Sequence, residues 1–142
     1  MRNNVCFIAL MISLNVYGQK QKHNQIQNIN TVNKMDISII PNHHVKTAIE
    51  ALQANDKQAW FACFAENVIF TDDGRTMNFK TFFDNAFDKK EKFLEIDSIE
   101  NEGKDIYGKF YAGQWGTFRV YFKFHPSTNG KFTRLDIGQA PK

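Results

Sequence analysis

Cysteine is scarce in this chain: two among 142 residues, Cys6 and Cys63. That excludes a cysteine-built zinc site and a disulfide framework. Blocks of Lys and Arg are missing as well. The 18 basic and 15 acidic residues are scattered and leave a net charge of +3. A surface without a basic stripe argues against nucleic acid as a partner. No apolar run is long enough to cross a bilayer as a helix; the best, residues 5–14, is about half the necessary length. His23, His43 and His44 have no carboxylate or Cys at ligand spacing, so no metal and no cofactor is expected. Aromatic side chains, by contrast, are plentiful: 14% of residues, with 14 Phe, in a chain that is 42% hydrophobic. Such a chain can build one sizeable core, which rules out wholesale disorder.

Residues 1–18 read as an export signal. Arg2 precedes the apolar run, and Val16-Tyr17-Gly18 offers the small or medium residues of a cleavage site. Cleavage after Gly18 removes Arg2 and Cys6, leaving Cys63 alone and no internal disulfide. The expected location is secreted or periplasmic, with no stable membrane anchor after cleavage. Residues 19–41 read as a polar Gln/Asn-rich tether that cannot bury enough surface to offset chain entropy. Within it, residues 35–40 are more apolar and are expected as a short extended segment leaning on the domain. The folded domain is expected over residues 42–142.

The domain changes period once. Val45, Ala48, Ile49 and Leu52 fall at i, i+3, i+4 and i+7, an apolar helical stripe, with Asn42 placed to cap it. Asp56 caps a short second helix whose apolar face is Ala59, Trp60, Cys63 and Phe64. Val68-Ile69-Phe70-Thr71 reads as a strand, closed by the turn residues Asp72-Asp73-Gly74. A third helix opens near Asn78, with the stripe Phe79, Phe82, Phe83, Ala86 and Phe87. After Lys92 the period becomes 2. Four strands follow, over residues 93–100, 105–112, 114–125 and 131–138, with the short connections of an antiparallel meander. Asn129-Gly130 is a hairpin signal. Helices followed by strands indicate an α+β fold. In the third of these strands Phe118, Val120, Phe122 and Phe124 point one way. Trp115, Thr117, Arg119, Tyr121 and Lys123 point the other way, a face apolar enough to meet another subunit.

Two stretches carry a family resemblance. Residues 51–60 with Phe64-Ala65-Glu66-Asn67-Val68-Ile69-Phe70, and Asn129-Gly130-Lys131-Phe132-Thr133-Arg134, resemble the opening and the final hairpin of the nuclear transport factor 2 superfamily. That superfamily includes the SnoaL-like polyketide cyclases and the ketosteroid isomerases. The resemblance implies a cone-shaped α+β barrel, three helices packed on a curved antiparallel sheet around a pocket. It implies Trp60, Phe64, Phe70, Phe79, Phe83, Phe87, Phe118, Phe122 and Phe124 as pocket residues. It also implies a homodimer through the outer sheet face, with Trp115, Arg119 and Tyr121 as interface residues. Asp72 continues the face of Phe70 and matches the place of the isomerase general base; the same residues also read as an ordinary turn. The isomerase oxyanion donors are not matched: Ala48 stands at the helix position and Tyr121 or Phe122 at the late-strand position. Cys63 reads as a small buried hydrophobe, and as a nucleophile only if His43 or His44 approaches it. Arg134 and Asp136, with Arg119 on a neighbouring strand, read as a cross-strand charge pair or as an anchor for an acidic ligand. His125 reads as a solvated turn residue. Three functions are therefore carried: a non-catalytic cone binding a small apolar ligand or a partner; a SnoaL- or isomerase-type enzyme using Asp72; and a dimerising interaction module.

Overall fold

The computed structural model describes residues 35–142. The export signal and most of the tether lie outside the described residues. The described body starts before Asn42. Ile37–Ile39 form a 3-10 turn, capped by the Asp36 side chain, and Ile40 is buried in the core. This apolar segment is thus a turn packed on the domain rather than an extended lead-in. A Cβ on Gly103 would sit 2.8 Å from Pro41 and Asn42, so only glycine lets the segment approach there.

Three helices follow the pattern of their caps and stripes. Helix α1 is His43–Gln53, α2 is Lys57–Ala62 and α3 is Phe79–Asp88. Asn42, Asp56 and Asn78 each accept the backbone N–H of the third residue of the helix, filling one of the amides a first turn leaves free. The α1 stripe is wholly buried, and Phe83, Ala86 and Phe87 are buried on α3. Helix α2 is shorter than its apolar face suggests, because Phe64 already begins the first strand.

The sheet has six strands: β1 Phe64–Asp72, β2 Arg75–Thr76, β3 Lys92–Glu100, β4 Asp105–Tyr111, β5 Thr117–Pro126 and β6 Phe132–Gln139. Their order is β2-β1-β6-β5-β4-β3. The meander β3 to β6 is antiparallel as its short turns require. The sheet is mixed, because β1 lies parallel to β6. That pairing joins segments separated by a helix and four strands, a distance over which parallel pairing is allowed and local pattern is silent. Helices cover one face of this curved open sheet, giving the α+β cone. At the far edge, the Gln53 amide donates to Phe93 O (2.9 Å) and accepts from Phe93 N (2.8 Å), so a side chain replaces the strand partner that β3 lacks.

Strand β5 begins later than its pattern suggests. Residues Gly113–Trp115 form a 3-10 turn, with Gly113 at φ 57° and Gly116 at φ 86°. These left-handed positions are open to glycine and break the alternation before Thr117. From Phe118 to Phe124 the inward face is as expected, with Val120, Phe122 and Phe124 buried.

Candidate functional site

A cavity of about 420 Å³ opens at one end of the cone. Its walls come from four places: Phe82, Phe83 and Ala86 on α3, Phe110 at the end of β4, Phe118, Val120 and Phe122 on β5, and Ile137 on β6. Asp72, Asp73, Lys89, Glu91, Gln114 and Trp115 stand among the residues that line it. Its volume lies in the range of small-molecule sites, and its walls are aromatic with a few polar groups, as such sites usually are.

Asp72 reaches the cavity by alternation. Phe70 is buried on the inner face of β1, Thr71 turns outward and Asp72 turns inward again, beside Ile137 of β6. Burial pushes the Asp72 carboxyl up, and neighbouring Asp73 adds to this while Arg75 opposes it. The Asp73-Gly74 turn, at φ 47° and 77°, folds the chain back into β2. The Asp73 carboxylate accepts the Gln139 N–H at 2.8 Å across β6. Gly138 makes this approach possible, since a Cβ there would lie 2.5 Å from both Asp73 Oδ1 and Tyr121 Oη.

Glu91 has no counterpart among the residues singled out from sequence. Helix α3 ends with Lys90 at φ 55° and with Glu91 N–H donating to Ala86 O at 3.0 Å. That bond closes a Schellman end, whose last residue usually packs an apolar side chain back on the helix. Here the residue is an acid, 9% exposed, and burial pushes its carboxyl up while Lys89 opposes the shift. Its side chain makes no hydrogen bond or ion pair among the described residues, and its carboxyl oxygens are not fully sealed from solvent. Gly113 leaves room for it: a Cβ there would lie 3.0 Å from Glu91 Oε1 and 2.9 Å from Lys89 Cδ. Lys90 hid this arrangement, because glycine is the usual sequence mark of such a turn.

The other expected site residues divide between wall and core. Phe83, Phe118 and Phe122 line the cavity. Trp60, Phe70, Phe87 and Phe124 pack instead in the closed aromatic core, where the Trp60 ring lies 4.7 Å from Phe83 and 4.9 Å from Phe64. Phe64 and Phe79 border a second, more open groove of about 830 Å³ with Glu66, Met77 and Lys131. Trp115, expected on the outer sheet face, is in the glycine-flanked turn at the cavity rim and is 73% exposed. The Ala48 side chain is fully buried in the core, and Phe122 is an apolar wall, so neither supplies an oxyanion donor. Tyr121 alternates with Val120 and Phe122, on the side of the strand away from them.

On that outer face, Arg119 does not pair with Asp136. It holds Asp97 through two nitrogens (2.7 and 3.0 Å) and donates to Pro141 O (2.7 Å). Asp136 is held by Thr71 Oγ1 (2.6 Å), His125 Nε2 (2.8 Å) and Arg134 Nε (2.9 Å). His125 is therefore an anchored residue, and Arg134 pairs along its own strand. Burial raises the Asp136 carboxyl, but these donors outweigh it and lower the pKa to about 2.

Cys63 does share a small cleft with His43 and His44. Its thiol donates to Ala59 O at 3.3 Å, and burial pushes its pKa up, opposite to what an activated nucleophile needs. No group of three metal-ligating side chains occurs among the described residues.

No protein-family model and no curated protein matches the chain. Solved structures do. A nuclear transport factor 2-like protein of unknown function from Cytophaga hutchinsonii covers 78% of this chain and 95% of its own length, at 17% identity and TM-score 0.57. The chain has the nuclear transport factor 2-like fold. A candidate polyketide cyclase from Sinorhizobium meliloti shares this fold at TM-score 0.55 and 16% identity, over 68% of this chain and 94% of that one. The orange carotenoid protein of Anabaena, binding canthaxanthin, matches at TM-score 0.50 and 18% identity, over 68% of this chain and 35% of its own. Identities this low speak to the nuclear transport factor 2-like fold and leave function to the site itself.

Proposed function

We propose that the chain is an exported binding domain that holds a small, largely apolar ligand in the cavity at the cone mouth. The observation that carries this reading is the cavity of about 420 Å³ between α3 and β5, left open among aromatic side chains. Protein interiors are otherwise packed to crystal-like density, so a void of this size with an open mouth is a feature to be used. The likeness to a canthaxanthin-binding protein supports the fold's capacity for apolar ligands. The test is a nuclear magnetic resonance titration of the full chain with 1-naphthylmethanol. Shifts should concentrate in the end of α3, the Gly113–Trp115 turn and β5. No binding up to roughly 1 mM, or shifts confined to α1, would overturn the reading. For export, mass spectrometry of the secreted fraction should find a new N-terminus near Gln19; retained Met1 would contradict it.

One observation favours an enzyme as second reading. Asp72 and Glu91 both face one apolar cavity with raised carboxyls, an environment suited to proton transfer next to a carbonyl. Turnover of a polyketide-like aromatic ketone that Asp72→Asn abolishes, with binding retained, would select it.

A further inference from the structure

The cavity has walls of one character and charged groups of another. Three carboxylates line it, Asp72, Asp73 and Glu91, against one ammonium, Lys89. This excess of negative charge occurs in a chain whose overall charge is positive. Asp73 is occupied by the Gln139 N–H. Glu91 is nine-tenths buried, borders the cavity and has no partner of its own among the described residues. Its carboxyl oxygens are not fully sealed, but standing against apolar walls they carry a desolvation cost that a cationic partner would offset. The local rule at its position favours an apolar side chain, so Glu91 departs from the pattern that would stabilise the helix end most simply. Phe83, Phe118 and Phe122 line the same cavity, with Trp115 among the lining residues and largely exposed. Aromatic faces carry partial negative charge and attract cations. Carboxylate and ring faces together match a ligand that is apolar over most of its surface and positive at one end.

We propose that the cavity takes a compact amine, with an apolar body against Phe83, Phe118 and Phe122 and a protonated nitrogen on Glu91, supported by Asp72. This deepens the binding function above and rests on it. The nitrogen supplies the donors that Glu91 lacks. Lys89, already near Glu91, is the one group in the lining that opposes a cation, and its long side chain can swing toward solvent.

The experiment is calorimetric titration of the full chain with three probes sharing one ring system: 1-naphthylmethylamine, 1-naphthylmethanol and 1-naphthoate. Wild-type protein should bind the amine about tenfold or more tightly than the alcohol, and naphthoate most weakly. Glu91→Gln should remove most of the preference for the amine and leave the alcohol within about twofold, since the ring contacts remain. Asp72→Asn should reduce the preference less. If the alcohol or naphthoate binds as tightly as the amine, the charge assignment is overturned while cavity binding stands. If none of the three binds, the binding function itself fails, and this proposal with it. Should Glu91→Gln not fold, the wild-type ranking and Asp72→Asn still decide. A preference for the amine that survives both substitutions would also overturn the role given to these carboxylates.

Discussion

Asp136 and Glu91 are both carboxylates of one small domain, yet they live under opposite conditions. Asp136, on the outer face of the sheet, is gripped by Thr71, His125 and Arg134, and its pKa falls to about 2. Glu91, at the cavity, is more deeply buried, has no side-chain partner among the described residues, and is pushed up. The aromatic residues divide the same way. Phe124 lies in a closed set of rings, 4.9 Å from Phe132, whereas Phe118 borders a void. One region is closed by its own rings, although the Trp60 Nε1–H inside it has no hydrogen-bond partner among the described residues. The other is left open, and it is there that the proposed ligand would complete the packing.

The largest expected difference between the regions is in packing. Phe124→Ala should cost about 3–5 kcal/mol in chemical denaturation, because it opens a hole among buried rings. Phe118→Ala should cost only about 1 kcal/mol, since one side of that ring already faces the cavity. Equal losses would erase the distinction between closed core and open mouth.

The carboxylates should differ in sign as well as size. The folded pKa of Asp136 is about 2 against an ordinary value of 3.8. It therefore contributes stability above pH 3.8 that is lost as pH falls toward 2, about 2 kcal/mol in all. Asp136→Asn should lose about that much at pH 7 and nearly nothing at pH 2, read from denaturation midpoints. Glu91 is the reverse. Its raised folded pKa makes the ionised form a cost at neutral pH, and that cost disappears as pH falls through the folded value. Glu91→Gln should thus raise the stability at pH 7, and the gain should vanish in acid. Asp72→Asn should change stability in the same direction by less, because Asp72 is more exposed.

Much of the fold was legible before any coordinates. The three caps, the α1 and α3 stripes and the change of period at Lys92 are local signals, and each is read from neighbours within about four residues. The inward aim of Asp72 followed from Phe70 by the same alternation. What stayed hidden depends on contacts between distant segments or on residues standing where another type is usual. Trp115 left the sheet face because Gly113 and Gly116 turn the chain. The partners of Asp136 depend on β1 lying parallel to β6, which joins Thr71 to a strand over sixty residues away. Glu91 was invisible because Lys90 takes the left-handed turn without a glycine to mark it, and because the space it fills is made by Gly113 on a different connection.

The central claim is that the cavity mouth gives up stability for binding, and one measurement addresses both halves. Wild type and Glu91→Gln are melted at pH 7, each alone and with saturating 1-naphthylmethylamine. The account predicts that the variant melts higher alone, and that the amine raises the wild-type midpoint clearly more than the variant's. A variant that melts lower alone, or equal shifts with the amine in both proteins, would contradict it.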